Sequence, residues 1–411
     1  MSQEISEKNS TLIIFYLYLT SIIALFSFLD MAFILEVSLL IGLIGVSLVT
    51  NNFKVPISIV LFYMTLIVFS LFLAPTISNA RYPLGELANV LLYSFVPIYL
   101  FSQNNIDYGS ILAKWKKTAI LFSALLPVLL VWREFRFIFY YEFGYVAHLN
   151  ILIFVLYFFV KKEYKPLNFF LIGYNAVALL LWGSRLVLLS TAITSLLIIL
   201  FLTKEKLHIK ILKFILVIFI VGMLFVNLST ILVAINSVLK AVGIDSRNIT
   251  LLMKQLEGGI DAVIGDRQDF YPQMLEYVKQ SLGVPRGFGV IRSMTDGVYY
   301  HAHNFIIQFV LTFGLGSLLA FLTYTFIYYI QAGRRSVFAD SKRYLLFIGI
   351  TSFFFRSIAG TNFYNDYIFY IIVGILFSSN VIENKNKQIR HDFTNYINKI
   401  RYGGNNENIN G

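Results

Sequence analysis

The chain has 411 residues, of which 58% are hydrophobic and 13% are charged, and its formal net charge is +11. Soluble globular proteins carry about 25% charged residues, so the composition excludes an ordinary soluble enzyme and indicates a membrane protein. The chain has no cysteine, which excludes disulfides and cysteine-ligated metal sites.

Apolar runs of about 18–25 residues recur along the chain, and each can cross a hydrocarbon layer about 30 Å thick as a helix. We therefore predict an all-α, polytopic membrane protein, because a helix satisfies its own backbone hydrogen bonds in lipid. A polar N-terminus precedes the first run and no small-residue cleavage site follows it, which predicts a retained span rather than a signal peptide. About twelve spans are expected, at residues 11–29, 31–50, 55–74, 84–101, 118–132, 146–160, 167–183, 186–203, 209–228, 304–329, 343–358 and 364–380.

The distribution of the 33 basic residues predicts the topology. With the N-terminus inside, the inner segments hold 21 of them, the short outer loops hold five, and the long outer segment holds seven. This positive-inside asymmetry predicts that both termini are cytoplasmic, and it removes the need to invoke nucleic-acid binding. The predicted organisation is nine spans within 1–228, an extracytoplasmic segment over 229–302, three spans within 303–380 and a cytoplasmic tail over 381–411.

All five basic residues of the short outer loops are arginine, whereas the inner loops are mostly lysine. A guanidinium binds phosphate or carboxylate through two parallel hydrogen bonds and stays charged in a low dielectric. The use of arginine rather than lysine therefore indicates anion recognition on the outer side. The alternative is that the five basic residues are all arginine by chance. Arg185 is the strongest candidate among them, because it lies between two apolar runs, and a charge at a membrane interface is a functional candidate.

Segment 229–302 is the only long polar connection, and its pattern predicts short helices rather than disorder. A helix is expected over 229–244, lying on the membrane face, and a second one is expected before Gly258 and Gly259. A third should be capped by Asp266 or Asp269, carry Pro272 in its first turn and end at Gly283. The following stretch GVPRGFGV has three glycines, so its backbone can approach a ligand closely.

The long segment carries seven basic and seven acidic residues, so any anion it binds must meet individually placed arginines. The candidates are Arg247, Arg267, Arg286 and Arg292, and ion pairs with neighbouring acidic residues are the structural alternative for each.

Two histidines, His301 and His303, lie at the outer mouth of the tenth span. An imidazole titrates near neutral pH, so one of them can act as a general base toward a hydroxyl group. The alternatives are interfacial packing and a zinc site, the latter disfavoured by the lack of further ligands. In an α-helix the two side chains would point about 200° apart, so only one is expected to serve. Asn304 could orient the ring or a sugar hydroxyl.

Further outer residues are candidates for the same cavity. His148 lies at the start of the sixth span, and Glu36 lies near the outer end of the second span, where it could pair with an outer arginine. Arg356 and Asp366 flank the last outer loop. Outer tyrosines could stack on sugars, although interfacial tyrosine belts are the default explanation; they are Tyr140, Tyr141, Tyr145, Tyr299 and Tyr300.

The order of several short motifs resembles the O-antigen ligase/polymerase superfamily, and most closely its Wzy-type oligosaccharide repeat-unit polymerases. The motifs are GSR at 183–185, IDSRNITLL at 244–252, GDRQDFY at 265–271, PRGFG at 285–289 and YYHAHNFIIQFVLTFGLGSL at 299–318. The chain departs from the family pattern at Asn248, where threonine is more usual, and at Asp266, which separates the glycine and arginine of the third motif.

This resemblance implies a GT-C-like membrane glycosyltransferase that acts on undecaprenyl-diphosphate-linked oligosaccharides at the outer leaflet of a bacterial plasma membrane. It implies His303 as the base, with His301 second, and a chain-length regulator as a partner. Arg185 and Arg267 are expected to bind the diphosphate in place of a metal ion, because the chain has no outer Asp-x-Asp pair to hold one, so no cofactor is expected. The alternatives are a ligase with another acceptor, a lipid-linked oligosaccharide flippase or other transporter, and a non-catalytic assembly partner.

Overall fold

The computed structural model describes residues 2–27, 31–73, 81–103, 106–134, 140–206, 208–215, 227–241, 243, 246, 249–254, 257, 267–332, 339–358, 360 and 362–378. Within these ranges the regular secondary structure is entirely helical, with no strand. The predicted all-α class is therefore confirmed. The predicted tail over 381–411 lies outside the described residues.

The described part of the chain forms a succession of α-helices. They are α1 (Ser2–Leu17), α2 (Leu19–Leu25), α3 (Ala32–Thr50), α4 (Ile57–Leu73), α5 (Arg81–Ser102), α6 (Tyr108–Glu134), α7 (Tyr140–Val155), α8 (Pro166–Trp182), α9 (Arg185–Leu197), α10 (Leu228–Ala241), α11 (Arg267–Gln280), α12 (Val290–Met294), α13 (Phe305–Phe313), α14 (Leu315–Ala332), α15 (Ala339–Ser357) and α16 (Tyr367–Ser378). Helices α7 and α9 continue into π-helical turns, Leu156–Val160 and Ile198–Leu202, and Phe363–Asn365 forms a 3₁₀ turn. Residues 208–215 and 249–254 are also helical.

Several helices have the length and apolarity of membrane spans. Among the described residues, four qualify individually: Ala32–Thr50, Arg81–Ser102, Tyr141–Val160 and Arg185–Leu202. The number rises to six if two bent pairs, α1 with α2 and α13 with α14, each count as one span. Every predicted span coincides with described helix except 209–228, which lies largely outside the described residues. The described helices thus lie where the apolar runs predict them, but among them fewer than twelve are long and apolar enough to cross alone.

Helix α7 is the centre of the bundle. It packs against α6, α8 and α9, and 83% of the residues in its apolar stretch are buried, against 17% in α3. The outward-facing residues of α3 are large and apolar, with Phe33 73% exposed and Val49 62% exposed. Since such a surface is costly in water but not in lipid, α3 has the character of a lipid-facing helix.

A buried polar network ties the central helices together. The Tyr18 hydroxyl donates to Asn150 Oδ1 (2.8 Å), Asn150 Nδ2 donates to Asn175 Oδ1 (3.0 Å), and Asn175 Nδ2 donates to Ser123 Oγ (2.9 Å). These residues come from α6, α7, α8 and the break between α1 and α2, where the chain bends by 59°. Interhelical hydrogen bonds of this kind fix helix register inside an apolar bundle.

Contacts at the two ends of the bundle agree with helices that alternate in direction. Lys116 pairs with Glu163 and Lys204 pairs with Asp340, and all four residues were assigned to inner segments. At the other end, the Tyr367 hydroxyl donates to Glu36 Oε1 (2.6 Å). Which end faces the cytoplasm remains a prediction from the distribution of lysine and arginine.

The predicted span 304–329 is a bent pair of helices rather than one straight helix. Helices α13 and α14 meet at Gly314 with a change of direction of 119°. Gly314 has φ 86° and ψ 161°, a region of backbone space that is essentially restricted to glycine. A Cβ atom there would lie 3.0 Å from Gly283 O and from Pro285 Cδ. The bend therefore depends on glycine at this position.

Residues 283–289, which we call the glycine turn, dock against this bend. Arg286 N donates to Leu311 O (2.8 Å), Gly287 N donates to Thr312 O (3.1 Å) and Leu315 N donates to Gly283 O (2.8 Å). The carbonyl groups at the end of α13, which have no partner within the helix, are satisfied by the turn. The glycine turn and the bend therefore form one structural unit.

Replacing Gly314 by alanine should strain this unit, because alanine disfavours the backbone conformation and its Cβ lacks room. We expect Gly314→Ala to lower the free energy of unfolding by about 1–3 kcal/mol, measured as the thermal midpoint of the detergent-solubilised protein. Gly316→Ala is the matched control, since this residue is helical and a Cβ atom there meets nothing within 4 Å. Equal midpoints for the two variants would contradict the proposed role of Gly314.

Candidate functional site

The part of the outer segment that the structure describes has its own small hydrophobic core. Phe270 and Met274 of α11 pack with Val290 and Ile291 of α12 and with Leu311 of α13. Ala302, which lies between the two histidines in the chain, belongs to this core, so the core holds the histidines in a defined arrangement. The predicted third helix is present as α11, which begins at Arg267.

One detail of the prediction for α11 was wrong, because Pro272 is the sixth residue of the helix rather than part of its first turn. Of the two predicted capping residues, Asp269 lies inside the helix, and Asp266 lies outside the described residues. The chain does turn after the helix at Gly283, as expected, with φ 71°. The predicted first helix of the segment is present as α10, and its residue Leu232 packs with Leu181 at the end of α8.

The histidine pair, His301 and His303, lies just before α13. Their ring centroids are 4.1 Å apart, which contradicts the expectation that the two side chains point about 200° apart. That expectation assumed a helix, but the helix begins only at Phe305, and His303 has a left-handed φ of 52°. The reversed backbone brings the two rings onto the same side of the chain.

Helix α11 supports the histidine pair. The Tyr271 hydroxyl donates to His303 O (3.2 Å), and the Phe270 ring contacts the His303 ring edge-on at 6.2 Å between centroids. Phe270 also packs on Tyr299. The start of α11 therefore lies beside the histidines, and the backbone of Arg267 is one helical turn from Phe270. The side chain of Arg267 and the whole of Arg247 lie outside the described residues.

Arg292 of α12 contacts two aromatic rings. Its guanidinium carbon is 4.1 Å from the centroid of the Tyr300 ring and 5.9 Å from that of Tyr82 on α5. In the described part of the chain it forms no ion pair with a carboxylate. Ring faces thus position the guanidinium, and its charge also acts on the carboxylate of Glu86, so Arg292 is a candidate for binding an anion.

The sequence analysis missed Glu86. This carboxylate on α5 is only 7% exposed, and its Oε2 accepts a hydrogen bond from Gly289 N at 2.6 Å. The Tyr364 hydroxyl and the charge of Arg292 also act on it. The one available signal was a glutamate inside an apolar span, which is a functional candidate by default.

Arg286 and Arg185 are not close to the histidines along the backbone. Arg286 is bonded to the C-terminal end of α13, whereas His303 precedes its N-terminal end, about 12 Å away at 1.5 Å per residue. Arg185 is the half-buried first residue of α9. It lies near the end of α8, where Arg133 Nε donates to Trp182 O (3.0 Å).

His148 and Arg356 are buried in the bundle rather than on an open cavity wall. His148 is 0% exposed, with Nδ1 2.7 Å from Thr191 Oγ1 and Nε2 2.5 Å from Ser352 Oγ. Arg356 is 2% exposed and forms an ion pair with Asp366. Both residues are held by protein groups, which favours a structural role for them.

Glu36 and Asn304 also have partners within the protein. Glu36 bonds to Tyr367, and in the described part of the chain no arginine pairs with it. Asn304 caps α13, since its Oδ1 accepts a hydrogen bond from Ile307 N at 3.2 Å. Its amide nitrogen is not used by this cap, so the predicted role toward the ring or a sugar remains a prediction. Within the described ranges no group of three or more His, Asp or Glu residues is arranged to hold a metal ion.

No protein-family model matches the chain, and no curated protein matches it. The functional interpretation therefore rests on the motifs and on the geometry of the histidine pair, Arg292 and the glycine turn.

The burial of the Arg356–Asp366 pair generates a stability prediction. Asp366→Asn should lower the free energy of unfolding by about 3–5 kcal/mol, because it leaves a buried guanidinium uncompensated, while the amide oxygen can still accept the bond from Phe369 N. The double variant Arg356→Met/Asp366→Asn should recover part of this loss, measured as the thermal midpoint in detergent.

Glu4→Gln is the control, because it removes an ion pair with Lys8 whose side chains are both more than half exposed, and we expect no measurable change. A double variant no more stable than Asp366→Asn would show that the two charges do not act as a pair.

Proposed function

We propose that the chain is a membrane glycosyltransferase that polymerises oligosaccharide repeat units carried on undecaprenyl diphosphate. The observation that carries this proposal is a pair of imidazoles, His301 and His303, whose ring centroids lie 4.1 Å apart. The pair directly follows Tyr300, whose ring face holds the guanidinium of Arg292. A base, a fixed positive charge and aromatic faces are the groups that transfer of a sugar from a diphosphate requires.

The reaction breaks the bond between the anomeric carbon of the growing chain and its diphosphate oxygen. A hydroxyl of the incoming unit forms the new bond at that carbon, its proton passes to His303, and the diphosphate leaves on its lipid carrier with the bonding electron pair. Arginines placed where this negative charge develops stabilise the transition state. Arg292 and Arg267 are assigned this role because both lie on elements that adjoin the histidines.

The bent helix pair supports a site at the membrane surface. If α14 runs inward with a tilt of about 20°, the 119° bend requires α13 to run outward. The histidine end of α13 then lies nearer to the membrane interior than Gly314 does. Such a depth is compatible with a diphosphate held at the level of the lipid headgroups.

The proposal includes the topology and the setting that the sequence predicts. The protein crosses a bacterial plasma membrane about twelve times in a GT-C-like arrangement, with both termini cytoplasmic and segment 229–302 outside. Its substrates are lipid-linked oligosaccharides, and a chain-length regulator is the expected partner. The reaction needs no cofactor, because guanidinium groups supply the positive charge.

A ligase with a different acceptor would use the same chemistry, so the geometry does not separate it from a polymerase. A transporter for lipid-linked oligosaccharides is the second candidate, and the buried Arg356–Asp366 pair with His148 nearby favours it. Charges inside a bundle are typical of transport pathways. In this chain they bond to one another and to hydroxyl groups, which favours a structural role instead.

The general-base assignment can be tested by complementation of a polymerase-deficient strain, with glycan length read on a gel. His303→Asn should abolish the polymer ladder, because loss of a general base costs at least about 100-fold in rate. Asparagine also tolerates the left-handed backbone at this position. His208→Asn is the control, since His208 is exposed and lies in a segment assigned to the opposite side.

The outcomes of this experiment separate the candidate functions. A wild-type ladder from His303→Asn would remove His303 from the chemistry. If removal of this protein from its cell leaves polymer on the carrier lipid, the protein is a ligase. If its removal leaves repeat units on the inner leaflet, the protein is a transporter.

The arginine assignment has its own test in the same assay. Arg267→Ala should abolish the ladder, whereas Lys279→Ala on the same helix should not, because Lys279 is 77% exposed and pairs only with Glu276. EDTA should leave polymer formation by isolated membranes unchanged. Inhibition that Mg²⁺ or Mn²⁺ reverses would show that a metal ion, and not arginine, neutralises the leaving group.

A further inference from the structure

Glu86 is a buried carboxylate to which neither the sequence motifs nor the proposed reaction assigns a role. It lies on α5, five residues after the start of the helix, and its hydrogen bond to Gly289 N links parts of the chain 203 residues apart. Burial of an acidic group costs free energy unless hydrogen bonds compensate for it. The burial of the Glu86 carboxylate therefore needs an explanation, and the backbone group that it binds supplies one.

Gly289 allows this contact because it has no side chain. Its φ is 78°, and a Cβ atom there would lie 2.7 Å from Pro83 N and 2.8 Å from Tyr82 C. The backbone of the glycine turn therefore lies directly against the first turn of α5. The Gly289 amide is enclosed at this contact, and the Glu86 carboxylate supplies its acceptor.

The residues directly after Gly289 depend on this attachment for their position. Gly289 is the N-cap of α12, and Arg292 lies three residues later, in contact with Tyr82 on α5 and with Tyr300. Tyr300 is adjacent to His301 in the chain. The position of the guanidinium relative to the histidine pair thus depends on where α12 begins.

The other end of the glycine turn is held by the bend at Gly314, through the bonds of Arg286 N and Gly287 N to α13. These bonds fix residues 286 and 287 but not the direction in which α12 leaves the turn. The Phe288 ring packs on Phe313 and Tyr364, and the bond from Gly289 N to Glu86 adds a hydrogen bond that joins the start of α12 to α5.

We propose that Glu86 is a positioning residue, whose carboxylate anchors Gly289 to α5 and so holds Arg292 against Tyr300 beside the histidine pair. The anchoring follows from the contacts described above, and its relevance to catalysis rests on the proposed function. Glu86 touches no reacting atom, since it acts through the backbone of α12 and through the charge of Arg292.

Hydrogen–deuterium exchange of the full chain in nanodiscs tests the anchor without any assay of activity. Glu86→Met keeps the length of the side chain and removes the acceptor, so peptides covering 287–294 should exchange at least about tenfold faster. Glu86→Gln keeps an acceptor oxygen, so by the same reasoning the exchange rate of these peptides should stay within about threefold of the wild-type rate.

Asp107 offers a matched control, because its Oδ1 also accepts a hydrogen bond from a glycine amide, Gly109 N at 2.8 Å. Asp107→Leu should raise exchange only near the start of α6. If Glu86→Met does not fold, Glu86→Asp is measured instead, because it keeps the charge and withdraws the acceptor by one methylene. Unchanged exchange of 287–294 in both Glu86→Met and Glu86→Asp would overturn the anchor.

The catalytic consequence is read separately, as glycan transfer per folded molecule. Glu86→Met, or Glu86→Asp in its place, should lower kcat/KM at least about tenfold, and Glu86→Gln should restore most of it. Full activity in a variant whose exchange has risen would overturn the positioning role. A wild-type chain without transferase activity would overturn the proposed function, while the exchange measurement would still decide whether Glu86 is the anchor.

Discussion

Hydrocarbon offers no hydrogen-bond partner, so every backbone group that a broken membrane helix releases must be satisfied by the protein. The break at Gly314 is where this constraint shapes the molecule. The freed carbonyl groups of Leu311 and Thr312 accept bonds from the glycine turn, and Leu315 N donates back to it. Because that turn also carries Gly289 and leads into α12, the hydrogen bonds that satisfy the break also help to set the position of the candidate site.

The charged and titratable groups of the chain fall into two kinds, which differ in how far the protein buries them. Arg356 with Asp366, and His148 with two hydroxyl groups, are buried and bonded to protein partners. Arg292 and the two histidines, in contrast, are only partly buried. Groups of the first kind stabilise and orient helices, while groups of the second kind can interact with a substrate. This contrast is the basis for assigning the chemistry to the outer segment.

An aromatic-rich core makes this division possible. Phe305 and Phe309 of α13 pack against Phe363 on one face of the helix, while Ile307 and Leu311 on the other face belong to the core of the outer segment. Helix α13 is thus shared between the membrane bundle and the outer segment. The histidines precede its N-terminal end, and the bend follows its C-terminal end. A movement of the membrane bundle at this helix would therefore also displace the outer segment.

The sequence by itself determined the helical class, the place of the apolar helices and the segregation of lysine from arginine, because hydropathy and charge act over local stretches of chain. It also marked His303, Arg292 and the glycine turn as candidates. Tertiary structure alone decided the bend at Gly314, the left-handed backbone that brings the two histidine rings together, and the pairing of Glu86 with Gly289. These features depend on contacts between residues far apart in the chain, and such contacts leave no periodic signal in the sequence.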